Sequence, residues 1–325
     1  MVKHSWRQVQ YAMKTNKEKH ELLIAVPTLN RATELTILLQ SLRTQTFQKW
    51  DIIIVDGTTT PDGINPQDIR LHYFVNNMIN RLLMENHTIE LQRQELRGLE
   101  ECRQQCIRFA NQQNYKYILF IDDDSVAEPN YVELLYTEAT KRPNIGAIGG
   151  VVPAFGFPSL KRSTNNVKPI FNKTKFTKEG HPICANCDQL YEPLLGVSTA
   201  CRNCKASYVD ANAMYEYIES EVIETDHLQS GFLCSMKAIN DKNVGAFMED
   251  KSYPAFREDT ETSMRIKMAG YDVLCHTGAI AYHQQTPGGG CRSDRDYGKW
   301  IILDDENWRI KCKRWVQKGK WKNIK

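Results

Sequence analysis

The sequence predicts an α/β protein built on a mostly parallel sheet with helices on both faces. Two observations predict it. Short apolar runs alternate with helical spacing from residue 22 to residue 152, and the strongest run, residues 117–121, delivers Asp122, Asp123 and Asp124 to its own C-terminal tip. Open α/β sheets bind ligands outside the carboxyl ends of their strands. Carboxylates crowded this closely raise one another's proton affinity, a cost that a divalent cation removes. The triplet therefore reads as a metal site; its plainer reading is a solvated acidic turn before the next helix.

Taken in order, residues 22–26 read as a buried strand closed by Pro27, and residues 33–43 as a helix through Leu35, Leu38, Leu39 and Leu42. A second strand, 51–55, ends at Asp56-Gly57. Strand, helix and strand with connections this short begin a parallel sheet. Residues 62–92 show no regular pattern and stay unassigned. Residues 98–111 form a helix with Leu99, Cys102, Cys106 and Ala110 on one face, 129–140 another helix, and 145–152 a strand. Lysine, asparagine, proline and paired cysteines then replace the apolar periodicity, which marks an insertion. Beyond it, 231–238 reads as strand, 260–268 as helix, and 271–275 and 280–283 as two short strands; the glycine run at 288–290 suggests a hinge or mobile flap. The resulting organisation is a polar extension (1–20), a ligand-binding half (21–155), an insertion (156–226), a catalytic half (227–290) and a basic, tryptophan-rich end (291–325).

With 325 residues, 41% hydrophobic and 25% charged, the chain is composed like an ordinary globular protein, and its net charge of +3 is too small to demand a polyanionic partner. No run approaches the roughly 18 apolar residues of a membrane span. Residues 1–20 lack the apolar centre of a secretory signal, and six of the ten cysteines are scattered without a disulfide framework. These features predict a cytoplasmic, reducing location.

Pro27-Thr28-Leu29-Asn30-Arg31, Val55-Asp56-Gly57, Gly98-x3-Cys102-Arg103-Gln104, the aspartate triplet, Glu258-Asp259-Thr260-Glu261, Ala269-Gly270-Tyr271 and His283 follow one another in a defined order. In that order they resemble family 2 glycosyltransferases, enzymes of the GT-A, Rossmann-like fold, over residues 21–157 and 227–286. The resemblance implies that Pro27, Thr28, Asn30, Arg31, Asp56 and Arg103 hold the nucleotide of a nucleotide diphosphate sugar, a UDP-sugar foremost, and that Asp122 and Asp123 belong to the same nucleotide-sugar site. It implies that Asp122 and Asp124 face the ribose and the metal, that Asp124 and His283, with Asp122, ligate Mn²⁺ or Mg²⁺, and that Asp259, beside Glu258, is the catalytic base. The chain departs from the family in having one acidic residue at Asp56 where two are common, and Cys102-Arg103-Gln104 where Ala-Arg-Asn is frequent. Both departures bear on which nucleotide is bound.

The residue types suit these roles. Cleaving a sugar–diphosphate bond leaves charge on the phosphate that a Lewis acid can stabilise. The acceptor hydroxyl must lose its proton to a carboxylate as it attacks, and a single displacement inverts the anomeric centre. An imidazole among oxygen ligands favours Mn²⁺. A glycan or lipid-linked saccharide is the expected acceptor, with protein and nucleic acid as alternatives. Two other classes compete. Nucleotidyltransferases share the sheet and the metal logic but usually carry a glycine-rich loop after the first strand, which residues 27–31 lack; a non-catalytic zinc-ribbon binding protein would not need Asp124, Asp259 and His283.

Cys184-x2-Cys187 and Cys201-x2-Cys204, thirteen residues apart, have the spacing of a closed tetrahedral Zn²⁺ site, which predicts a structural zinc ribbon within the insertion; its place between the two halves of the chain points to a role in shaping the acceptor side, with a stabilising flap as the plainer alternative. The alternative is two unrelated cysteine pairs. Residues 311–325 hold seven basic and no acidic side chains, with Trp315 and Trp321 among them. Such a segment can bind nucleic acid or rest peripherally on a membrane. The preferred reading is an amphipathic terminal helix that packs its tryptophans on the core.

Overall fold

The computed structural model describes residues 20–58, 68–95, 98–152, 175–178, 182–184, 187, 220–247, 255, 257–286 and 288–321. The central sheet runs β3-β2-β1-β4-β10-β6-β11-β5, with β9 added to β11. Its strands are β1 (Leu22–Thr28), β2 (Trp50–Asp56), β3 (Ile89–Arg93), β4 (Tyr117–Phe120), β5 (Ser125–Ala127), β6 (Ile145–Val151), β9 (Val222–Glu224), β10 (Phe232–Ser235) and β11 (Asp272–His283). A separate two-stranded ribbon pairs β7 (Lys175–Phe176) with β8 (Pro182–Ile183). The sheet is mixed. β1 pairs in parallel with β2 and β4, β2 with β3, and β6 with β11, whereas β10, β5 and β9 run against their neighbours.

Helices cover both faces, which is why Leu22 to Val26 are apolar without alternation and fully buried. On one face, Leu35, Leu38, Leu39 and Leu42 of α1 (Ala32–Arg43), Val75, Ile79 and Leu82 of α2 (Tyr73–Met84) and Tyr131, Val132 and Leu135 of α4 (Tyr131–Lys141) form a single core with the strands. Each of these leucines contributes about 1.5–3 kcal/mol through burial. On the other face Cys102, Cys106 and Ala110 of α3 (Leu99–Gln112), α5 (Met236–Ile239) and Ile266 of α6 (Glu258–Met268) close a second core.

Several elements differ from expectation for local reasons. β1 continues through Pro27 to Thr28, in register with Trp50–Asp56 of β2. The expected strand at 231–238 stops at Ser235, whose hydroxyl accepts a hydrogen bond from the Ala238 amide and starts α5. The two short strands expected near 271–283 are one strand, β11, interrupted by a bulge against β6 between Cys275 and Ile280. The unassigned stretch 62–92 supplies α2 and β3.

The tryptophan-rich end forms α7 (Tyr297–Gln317), preceded by a 3-10 turn at Cys291–Ser293. Trp308, Cys312, Val316 and Trp321 pack against Met264 of α6, in line with the expected amphipathic helix. Cys184 is buried directly after β8 and Cys187 is half-buried. Cys201 and Cys204 lie outside the described residues, as do residues 1–19, so the zinc ribbon and the polar extension are not described.

Candidate active site

The parallel strands end together. Register aligns Thr28 with Asp56 and Asp56 with Arg93, so the tips of β1, β2 and β3 form one shelf. At the exit from β1 the chain turns through Asn30, whose φ of +54° is a left-handed conformation that asparagine tolerates. The Asn30 amide donates to the Thr58 hydroxyl at 2.9 Å, and the Gly57 amide to the Thr28 carbonyl at 2.8 Å. Asp56, at the shelf's centre, accepts from the Thr58 amide at 2.8 Å and from Arg93 Nη1 at 2.8 Å. Burial raises its proton affinity more than the Thr58 bonds and the Arg93 charge lower it.

Beyond β4 the three aspartates part. Asp123 turns towards β1: it accepts from the Thr28 hydroxyl at 2.8 Å and from Arg31 Nη1 at 3.0 Å. Burial, opposed by Arg31 and aided by Asp124, pushes its carboxyl up to about 7. Asp122 accepts from the Ser230 hydroxyl at 2.5 Å and lies 3.4 Å from Arg103 Nη2. Asp124 is fully buried.

What surrounds Asp124 is basic. His283 Nε2 stands 3.0 Å from one oxygen, and Arg31 Nη1 and Arg292 Nη1 stand 3.0 and 3.8 Å from the other. Burial alone would raise its proton affinity, but these groups outweigh it and hold the carboxyl below its usual range. The same contact raises the proton affinity of His283 against the opposing effect of burial. Pairing of His283 with Ser125 across β11 and β5, and a 2.8 Å bond from the Gln284 amide to the Asp124 carbonyl, fix the imidazole beside the triplet.

Among the described residues, Asp122, Asp124 and His283 form the group able to hold a metal ion, with donor atoms within 4.8 Å of one another. Both oxygens of Asp124 are buried and neither accepts a well-directed hydrogen bond. Buried carboxylate oxygens left in that state are costly, and a hard divalent cation satisfies them. The donor set fits such an ion.

The glycine run closes over the β1 turn. Arg31 donates through Nε to the Gly288 carbonyl and through Nη2 to the Thr286 carbonyl, each at 3.1 Å, and the Gly290 amide donates to the Leu29 carbonyl at 2.7 Å. Gly288, Gly289 and Gly290, in the run read as a hinge or mobile flap, thus lie against the β1 turn. A β-carbon on Gly289 would meet Arg31 Cγ at 2.4 Å and the Asn30 carbonyl at 2.6 Å, so only glycine allows this approach.

On the far side of Asp122, Arg103 is 2% exposed. Its Nη2 lies 2.7 Å from Glu258 Oε1, and its guanidinium carbon lies 5.0 Å from the Phe247 ring centroid and 5.6 Å from that of Phe120. Glu258 and Asp259 open α6 immediately after Arg257, which holds a left-handed φ of +68°. Arg257 is clamped by Asp305 at 2.8 Å and lies over the Trp308 ring at 4.7 Å, so α7 braces the start of α6. Burial raises Asp259's proton affinity, opposed by Arg103 and by the Thr260 amide bonded to its Oδ1 at 2.7 Å.

The glycosyl transferase family 2 model matches residues 23–192, just over half of the chain. The chain belongs to glycosyl transferase family 2. Two solved structures share this glycosyltransferase's fold: S. aureus TarS 1-349 in complex with UDP-GlcNAc, with a TM-score of 0.53, 13% identity and coverage of 92% of this chain and 71% of that one, and the same protein in complex with UDP, with a TM-score of 0.50, 13% identity and coverage of 92% and 70%. The chain spans 37% and 60% of the length of two further S. aureus TarS chains to which it is similar. No curated protein matches this glycosyltransferase.

The expected site residues divide into three clusters at one sheet edge. Pro27, Thr28, Asn30, Arg31 and Asp56 belong to the β1–β2 shelf; Asp122, Asp124 and His283 converge; Arg103, Glu258 and Asp259 lie along α3 and α6. Ser230, Arg93 and Arg292 enter the site without having been expected. Ser230 and Arg292 stand outside the strands and the longer helices, and Arg93 is the last residue of β3, so none of them belongs to a periodic pattern of its own.

Proposed function

We propose that this glycosyltransferase moves a sugar from a nucleoside diphosphate sugar, with uridine as the base, to an acceptor hydroxyl on a glycan or lipid-linked saccharide, with inversion at the anomeric carbon. The observation that carries the reading is the convergence of Asp122, Asp124 and His283 at the C-terminal edge of the sheet. The uridine assignment draws support from the TarS complexes with UDP and UDP-GlcNAc. Asp122, Asp124 and His283 would hold Mn²⁺ or Mg²⁺, which would supply Lewis-acid stabilisation for the departing diphosphate.

The chain's own groups do the rest. Arg31 and Arg292, on the Asp124 side, add positive charge where diphosphate oxygens gain negative charge, while the β1–β2 shelf with Asp56 holds the nucleoside. Asp259 removes the acceptor proton: burial makes it a better base than an exposed aspartate, and its place in the first turn of α6 fixes it. Glu258, paired to Arg103, keeps that helix start in place. Cys184 and Cys187 would join Cys201 and Cys204 on a structural Zn²⁺, a role that leaves no open ligand position for catalysis.

Calorimetry of UDP and UDP-GlcNAc binding with and without Mn²⁺ tests the donor assignment, and NMR of the product's anomeric configuration tests the stereochemistry. Metal-independent affinity in both wild type and an Asp124→Asn variant, or retention of configuration, would defeat the reading.

A further inference from the structure

Helix α7 has two faces. The inner one, with Asp304, Trp308, Cys312 and Val316, is buried against the protein. The outer one leaves Ile302 61% exposed and Leu303 and Ile310 each 43% exposed, which a helix with no partner on that side would not retain without cost. At helical spacing the same face continues into Lys313, Arg314 and Gln317, and Lys318 and Lys320 follow in the exposed exit. Lys313, Arg314, Lys318 and Lys320 make no ion pair among the described residues, and Glu306 is the acidic side chain exposed among them.

We propose that this face of α7 docks on an anionic lipid surface, with Ile302, Leu303 and Ile310 entering the interface and the four cations meeting headgroup phosphates. Charge selects the occupant: a second copy of the same face would set cations against cations. Nucleic acid would use exposed aromatic rings for stacking, yet Trp308 and Trp321 are buried, Trp300 and Trp315 are half-buried, and the exposed apolar groups are aliphatic. Exposed aliphatics among basic side chains are the pattern of a helix lying in a bilayer interface. No helix of the described chain is long and apolar enough to cross a membrane, so the contact is peripheral. It has a bearing on substrate. α7 is joined to α6 by the Arg257–Asp305 pair and by Lys311 Nζ, 3.0 Å from Glu261, so docking holds the helix bearing Asp259 near the lipid surface.

Docking of α7 is independent of the donor chemistry and is measured without turnover. The full chain is sedimented with phosphatidylcholine vesicles and with mixed phosphatidylcholine–phosphatidylglycerol vesicles, at low salt and at about 0.5 M salt. Binding is expected to the mixed vesicles alone and to weaken with salt. The Ile302→Ser, Leu303→Ser, Ile310→Ser triple variant and the Lys313→Glu, Arg314→Glu double variant should each bind about tenfold more weakly, with Tm and UDP binding unchanged. If the triple variant unfolds, the double variant decides. Absence of binding to the anionic vesicles, affinity unchanged in the variants, or tighter binding to a single-stranded oligonucleotide would overturn the proposal.

Discussion

Arg103 Nη2 lies 2.7 Å from Glu258 Oε1 with both side chains buried, so an ion pair joins α3 to the first turn of α6. Glu258 has its proton affinity raised well above the ordinary range by burial, with Arg103 opposing and Asp259 and Asp122 adding to it. Removing one partner strands the other. Arg103→Ala should cost about 3–5 kcal/mol of stability in urea unfolding, because Glu258 must then take up a proton or stay charged without its partner, and the guanidinium's place beside Phe120 and Phe247 is left empty. The Arg103→Met, Glu258→Gln double variant should be more stable than Arg103→Ala. Equal stabilities would mean that the pair carries no coupling.

The second prediction concerns the cation. Asp124→Asn keeps the shape of the side chain but removes the charge that faces His283, Arg31 and Arg292. Mn²⁺ with UDP should raise the Tm of the wild type, and in the variant that rise should vanish and transfer should fall by about 10²–10³. Chelation of wild-type enzyme should reproduce the loss of activity, and added Mn²⁺ should reverse it. A full Mn²⁺ shift in Asp124→Asn would remove Asp124 from the ligand set.

Asp259→Asn separates chemistry from binding. The amide can still accept the Thr260 hydrogen bond that Oδ1 now takes at 2.7 Å, so α6 should start as before. Transfer should drop about 10²–10⁴, with the affinity for UDP within twofold of wild type. If UDP binding fails along with transfer, Asp259 belongs to the donor site.

How much of this was legible in the sequence depended on whether a residue's neighbours lie close in the chain. The runs at 22–26, 51–55 and 117–121 are buried on both faces, so their apolarity alone announces strands, and the aspartates mark the end that matters. α2 escaped because Tyr73, Phe74 and Met84 are 72%, 61% and 73% exposed, which blurs the helical stripe that Val75, Ile79 and Leu82 would otherwise show. β11 read as two strands because His276, Thr277 and Gly278 interrupt its apolar run; there it pairs with β9, and the Thr277 amide donates to the Glu221 carbonyl at 2.9 Å. Pairings such as Ser230 with Asp122, 108 residues apart, exist only once the sheet has formed.

A fourth prediction is a pH dependence away from the metal. His227, beside Asp226, has its pKa lowered to about 4, burial outweighing the attraction of Asp226 while Arg257 and Lys267 add repulsion. The unfolded chain, with an ordinary imidazole, binds this proton from about pH 6.5 downwards. The folded chain does so only near 4, so His227's contribution is whole above about 6.5 and is lost as pH falls towards 4. Tm should fall over that window, and His227→Gln should flatten part of the slope. Parallel Tm profiles for variant and wild type would exclude His227 as a source.

Gly289 offers the sharpest local test. Its φ is +66°, and its missing β-carbon is what lets the chain lie against Arg31 Cγ and the Asn30 carbonyl. Gly289→Ala must strain the left-handed conformation and push the loop from backbone that cannot yield, at about 1–3 kcal/mol. The loop carries Arg292 towards Asp124 and supplies the Gly288 carbonyl that orients Arg31, so two charges placed for the diphosphate move together. The KM for the donor should therefore rise about tenfold, while the global Tm, set by the two cores under the sheet, stays within a few degrees. Gly288→Ala is the control, since a β-carbon there meets nothing within 4 Å. If both alanines change KM alike, the effect comes from general stiffening of the loop, and the close approach at Gly289 has no bearing on donor binding.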